Sequence, residues 1–244
     1  VLVRVSVILF LLPFFNARIV PALTKAGLAL LISIALFPVV REAVGPAAET
    51  PGSLLMLVLG EFLIGLVLSL MVLLFFESIK MMGHTVGFQT GFAITNVIDP
   101  QNQTQISLMA SLAYMVSLIV FLSLDGHHVL IGALKDSFEV IPPGAAGVED
   151  RLFQMVIDSA GQMFAVAVKI GSPAIVALLF TKAAFGLITK LIPQMNIMIV
   201  AFPVQIVIGL IYFGISMQLL PFFIREFINA LSGVLITAMN WMRI

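Results

Sequence analysis

The sequence predicts an all-α protein built from membrane-associated helices, and three observations predict it. Of the 244 residues 61% are hydrophobic and 10% charged, against about 45–50% and about 25% in soluble domains. The apolar runs are long as well as frequent, and several reach the roughly twenty residues that span a bilayer. No stretch alternates apolar and polar residues over a useful length, so strands are not expected. A mean hydropathy of +1.19 agrees with this class.

The elements follow in order. Val1–Phe15 and Val20–Val40 are apolar, broken around Pro13, Asn16, Arg18 and Pro21. Pro38 and the polar connection REAVGPAAETPGS (Arg41–Ser53) stop the second run, because clustered Pro and Gly punctuate helices. Leu54–Met82 is a long apolar run. Ile106–Leu124 and Val129–Val140 are two shorter ones, separated by DGHH (Asp125–His128). Ile141–Asp150 is the second strong break; Leu152–Leu191 is helical in pattern. Pro193 interrupts it, Asn196–Leu220 contains Pro203, and Pro221 precedes a last helix to about Met242. Prolines at these spacings predict kinked or split helices. No internal repeat of fixed period is visible.

Twelve basic and twelve acidic residues leave no net charge. There is no basic cluster of the kind that neutralises phosphates, which argues against nucleic-acid binding. The absence of cysteine excludes disulfides, thiolate catalysis and cysteine-ligated metals. GxSxG, P-loop and GxGxxG motifs are missing, and neither catalysis nor a cofactor is expected. The first forty residues lack a small-residue cleavage pattern and are not read as a removable signal.

The charges refine the membrane reading. Glu61, Glu77, Lys80, Lys169, Lys182 and Lys190 fall within or beside the apolar runs. A charge at mid-bilayer costs at least about 2.5–3.5 kcal/mol, so these side chains are expected to face protein, water or each other. Glu77 and Lys80 have the i,i+3 spacing of a pair on one helix face. Basic residues are spread too evenly over the breaks for a loop-charge bias to set an orientation.

Three local features stand out. Gly83, Gly87 and Gly91 recur every four residues, which puts them on one helix face where a second backbone can approach closely; the alternative is glycines that only loosen a helix end. In Gly87–Ser107 the second half is a nearly unbroken amide cluster, either a water-exposed loop or the lining of a polar path inside protein. Asp125-Gly126-His127-His128 is the only cluster that suggests a metal. Adjacent histidines on a helix diverge by about 100° and suit chelation poorly, so structural histidines at a helix start are expected, with no metal; a metal or proton-relay role is the alternative. Asp125 is placed to cap the helix that follows, with Gly126 giving the turn. The thirteen methionines read as flexible core filler or as a deformable conduit lining.

Three motifs carry a resemblance. GFAITNVIDPQNQTQISLMASLAYMVSLIVFLSLDGHHVLIGALKDSFEVIPPG (Gly91–Gly144) resembles the central region of the FliR/SctT family of type III secretion export subunits. LIPQMNIMIVAFPVQIVIGL (Leu191–Leu210) is similar to that family's P-Q-x-N…FP…G stretch, here Pro193, Gln194, Asn196, Phe202, Pro203 and Gly209. LPFFNARIVPALTKAGLAL (Leu12–Leu30) matches the N-terminal pattern. The motifs occur in family order along nearly the whole chain, and the flagellar branch is the better match.

The resemblance implies a non-enzymatic core subunit of the export gate. It would be present as a single copy in a helical pore with FliP and FliQ, close to FlhB, passing unfolded flagellar polypeptides. It implies helical hairpins in two parts, a FliP-like part over 1–150 and a FliQ-like hairpin over 151–244. The location implied is the bacterial inner membrane and flagellar basal body, with the gate largely toward the periplasmic side. It also implies a pore plug within about 91–105, formed by Phe92, Ala93, Ile94, Thr95, Asn96, Val97, Ile98, Asp99 and Pro100. Those residue types suit the role, since Ile94, Val97 and Ile98 can make a dry constriction and Pro100 holds Asp99 extended. The alternative function is a secondary transporter or small ion or proton channel, motivated by the broken helices and by Glu61 and Lys169.

Overall fold

The computed structural model describes residues 1–13, 15, 20–40, 50–91, 107–147, 149–192 and 197–242, without the side chains at 39, 197 and 198. Among them are seven α-helices and no strand. They are α1 (Leu2–Leu11), α2 (Ala22–Val40), α3 (Pro51–Thr90), α4 (Leu108–Ser123), α5 (Gly126–Val140), α6 (Asp150–Leu191) and α7 (Ile197–Trp241). The helices α3, α6 and α7 are long and apolar enough to cross a membrane. The pair α4 and α5, bent by 69° at its break, makes a fourth span if counted as one. The fold is all-α, as the composition and the missing alternation predict.

Two helices run further than their apolar segments suggest. The polar-looking GHTVGFQT continues α3 to Thr90, and the helix ends only where Gly91 takes φ +88°. A positive φ at the residue after the last helical turn is a glycine stop signal. Pro221 does not open a separate helix: it lies inside α7, as Pro203 does. Each proline forfeits one backbone hydrogen bond. Breaking the helix in apolar surroundings would expose several such groups.

The chain forms two compact units, each assembled from separated stretches. The first comprises Val1–Phe75, Phe121–Gly161 and Arg225–Ile244. Here α2 packs on α1 and α5, and Val5, Ile8, Ile64, Val72, Phe121, Phe138, Leu235 and Met239 are buried. Phe75 of α3 stacks on Phe227 of α7 with ring centroids 3.8 Å apart. The Gly147 N–H donates to the Met242 carbonyl at 2.8 Å, fastening the end of α7 to the connection after α5.

The second unit comprises Phe76–Val120 and Gln162–Ile224. Ile79, Met82, Val86, Met109, Ala113, Ile170, Ala174 and Leu178 are buried in it. Met82 and Met109 therefore act as filler, whereas Met115 is exposed. In both units helix hydroxyls turn inward to their own backbone: Ser69 of the first unit donates to the Gly65 carbonyl, and Thr85 and Thr181 of the second to Met81 and Ala177, at 2.6, 2.9 and 2.7 Å. This i−4 bonding lets Ser and Thr sit in apolar helices without an orphan donor.

Large apolar side chains nonetheless face outward. Leu179, Phe180 and Leu187 of α6, and Val207 and Ile211 of α7, are each more than half exposed. Large apolar side chains exposed in this number on long helices are expected to be covered by lipid or other protein.

Candidate functional site

The expected plug residues Phe92–Pro100 lie outside the described residues, as do the amide arm after them and Pro193, Gln194 and Asn196. The two feet of the segment 92–106 are described, and both belong to the second unit. A methyl group added at Gly83 would stand 2.5 Å from the Ala110 Cα, and one at Gly87 would stand 2.5 Å from Ser107 Oγ. The last turns of α3 and the first turn of α4 therefore lie side by side, in backbone contact at Gly83. This close approach is what the absence of a Cβ permits.

Gly91 has a different part. It ends α3 with positive φ, donates its N–H to the Phe88 carbonyl at 3.2 Å, and lies under a ring. That ring is Phe202 of α7, whose Cζ would be 2.7 Å from a Gly91 methyl. Two turns further along α7, Gly209 lies against the Thr90 methyl and Leu178. Thr90 is fully buried, and its hydroxyl donates to the Gly87 carbonyl at 2.9 Å. Phe202 and Gly209, seven residues apart and so on one helix face, both grip the residues just before the segment 92–106. The two quoted stretches around the DP dipeptide and the FP dipeptide thus meet here, which neither shows alone.

The close approach yields a graded expectation. Gly83→Ala should destabilise the protein by about 1–3 kcal/mol, as overpacking does, because its methyl meets backbone that cannot rotate away. Gly87→Ala should cost less, since its methyl meets one serine hydroxyl with other rotamers. Thermal unfolding of the two purified variants checks this, and equal midpoints would contradict it.

A buried ion pair in the first unit escaped the sequence reading. Arg4 of α1 is 0% exposed and Glu61 of α3 is 1% exposed. Arg4 Nε and Nη2 donate to Glu61 Oε2 and Oε1 at 2.9 and 2.8 Å. Nη1 donates to the Ser137 carbonyl at 2.6 Å and to Ser137 Oγ at 3.1 Å, and Nη2 to the Ile141 carbonyl at 3.1 Å. The guanidinium also sits over the Phe138 ring, 4.2 Å from its centroid. Every N–H of the planar fork has an acceptor, an arrangement Lys has too few donors to copy. The available signal was charge sign: Glu61 in an apolar run needs a cation, and Arg4 is the lone charge in another.

Of the other charges, Lys80 donates to Glu77 at 2.6 Å, as the spacing suggests, and its ammonium lies 4.4 Å from the Tyr114 centroid. Lys169, Lys182 and Lys190 are exposed.

At the break between α4 and α5, Asp125 occupies the N-cap position, but its side chain makes no capping bond. Instead Asp125 Oδ1 lies 3.2 Å from His128 Nδ1. Asp125, not Gly126, takes the left-handed turn, with φ 57°. Gly126 is needed for space, because a Cβ there would run into the Phe121 ring. The rings of His127 and His128, expected to diverge, lie 4.1 Å apart between centroids. The divergence rule describes a helix interior, whereas these are the first residues of α5.

Fold and features together define a polytopic helical membrane protein with a buried ion pair and glycine contacts between helices. The chain belongs to the bacterial export proteins, family 1, whose model matches residues 1–231. It is 28% identical over 229 residues to the flagellar biosynthetic protein FliR of Bacillus subtilis, covering 93% of this chain and 88% of that one. The FliR of Pectobacterium carotovorum is also 28% identical, covering 96% and 88% of the two chains. The FliR of Escherichia coli is 27% identical, covering 96% and 89%.

Proposed function

We propose that the chain is a non-enzymatic core subunit of the flagellar type III protein export gate. With FliP- and FliQ-type subunits it forms the channel through which unfolded flagellar proteins pass. The observation that carries this is the family match along residues 1–231, joined by relatives of nearly equal length named for flagellar biosynthesis. One copy per complex, association with an FlhB-type protein, and a place in the inner membrane with the gate toward the periplasmic side belong to the same proposal. So does the division into a FliP-like part, 1–150, and a FliQ-like hairpin, 151–244. The exposed apolar faces of α6 and α7 support it, because helices lodged among other subunits need such faces.

Within this reading, residues 92–100 help to close the channel. Support comes from the feet. A functional segment needs a rigid scaffold at its base, and the residues flanking 92–106 are closely packed at Gly83, Gly87, Gly91, Phe202 and Gly209.

The transporter reading loses one of its two motivating residues. Glu61 is held by both oxygens on Arg4 and has no free carboxylate to offer an ion. The chain is expected to co-purify with FliP- and FliQ-type subunits, and its deletion to abolish flagella and export. A monodisperse monomer, with flagella and secretion intact after deletion, would sink the proposal. Solute or proton flux through the chain reconstituted alone would favour the transporter.

A further inference from the structure

We infer that Asp125, His127 and His128 form a binding site for a divalent transition-metal ion at the bend between α4 and α5. The three residues bring one ligand atom each within 4.8 Å of one another. One edge is already at coordination spacing: Asp125 Oδ1 and His128 Nδ1 are 3.2 Å apart. Two ligands of a tetrahedral ion with bonds of about 2.0–2.1 Å are separated by roughly 3.3 Å. Asp125 and His128 are 74% and 70% exposed on their side chains, so they can turn the remaining distance toward an ion that arrives from outside.

A second observation is independent of that spacing. Nδ1 of His127 is shut off from solvent and makes no hydrogen bond among the described residues. Its ring borders an apolar cavity of about 270 Å³ lined by Leu9, Leu28, Leu122 and Leu130, which offers it no polar partner. A buried ring nitrogen without a protein partner is costly, and ligation of an ion is one way to satisfy it. A ligated imidazole is also neutral, which suits a ring in apolar surroundings.

The donor set names the class of ion. Two imidazoles and one carboxylate suit Zn²⁺, Ni²⁺ and Cu²⁺ and disfavour Mg²⁺ and Ca²⁺, which take oxygen ligands. The positive end of α5 opposes a cation here, but the carbonyl end of α4 adjoins it, with the Asp125 N–H donating to the Leu122 carbonyl at 3.2 Å. A bound ion would cross-link Asp125, which carries the strained left-handed backbone, to the first turn of α5. That fixes the direction in which the chain leaves the 69° bend.

The competing account is that Asp125 and His128 share only a proton. The test is calorimetric titration of the purified full chain, with affinity tag removed, using Zn²⁺ alone, followed by Cu²⁺ and its electron paramagnetic resonance. One ion per chain is expected, with coupling to two imidazole nitrogens. His128→Ala and Asp125→Ala should each weaken binding at least tenfold, while His84→Ala, which removes the remaining histidine, should not. His127 is partly buried and its variant risks the fold, so the exposed pair carries the test. No saturable binding at micromolar Zn²⁺, coupling to a single nitrogen, or affinity unchanged by His128→Ala would each overturn the site.

Discussion

Deleting Ile94–Asp99 is expected to leave the export complex assembled and to make the idle membrane leak small solutes and ions. Assembly should survive because the contacts that hold the feet lie outside the deletion: Gly83 and Gly87 against α4, and Phe202 and Gly209 against the end of α3. Leakage should follow because the deletion removes Ile94, Val97 and Ile98, the apolar residues able to make a dry constriction. Hydrophobic constrictions gate by excluding water. A tenfold rise in flux corresponds to removing only about 1.4 kcal/mol of barrier, well within what three apolar side chains supply. Dye or proton entry into cells with an assembled, non-exporting apparatus reads the effect. Unchanged permeability with normal assembly would end the gating role while leaving membership of the apparatus untouched.

The largest stability effect is expected at Arg4. Arg4→Ala should lower stability by about 3–5 kcal/mol, because it strands a carboxylate that is 1% exposed. Against a total of roughly 5–15 kcal/mol for an ordinary domain, that is enough to empty cells of the protein. Glu61→Ala should be as damaging, leaving the guanidinium without its bidentate partner. Arg4→Lys should not rescue, since an ammonium has three donors where this site uses five contacts. The decisive variant is the double change of Arg4 and Glu61 to Met. It removes both charges and should recover part of the loss, short by the roughly 1–3 kcal/mol of a carbonyl at Ile141 that has lost its donor. Steady-state protein level and thermal unfolding report all four. If the double variant is no better than Arg4→Ala, the pair is not what makes the single changes costly.

Together these two expectations separate holding the fold from closing the channel. The Arg4–Glu61 cluster ties α1, α3 and the end of α5 within the first unit. The glycine-and-phenylalanine clasp holds the feet of residues 92–106 within the second. A variant in one cluster should leave the readout of the other unchanged until the protein itself is lost.

The sequence by itself determined the class. Long apolar runs and the lack of alternation are local and additive signals, so the all-α membrane-type fold was legible, with most helix positions. The Glu77–Lys80 pair was legible too, since i,i+3 geometry is a property of the helix alone. What escaped depended on distance along the chain. The partner of Glu61 lies 57 residues away on another helix, and the Ser137 and Ile141 acceptors lie more than 130 residues from Arg4. No periodicity encodes such a pairing. The glycine spacing predicted a close approach but not its partners, nor that Gly91 would leave the set to end α3 beneath Phe202. Pro221 reads as a boundary because proline is a breaker in water, and α7 runs through it because apolar surroundings make an open helix end costlier than one missing bond. The DGHH rings were judged by the rule for a helix interior, yet they begin a helix, where a left-handed Asp125 turns the chain and brings the side chains together. Only the tertiary structure decides which distant groups share one place, because burial, not sequence spacing, sets the cost of leaving each of them alone.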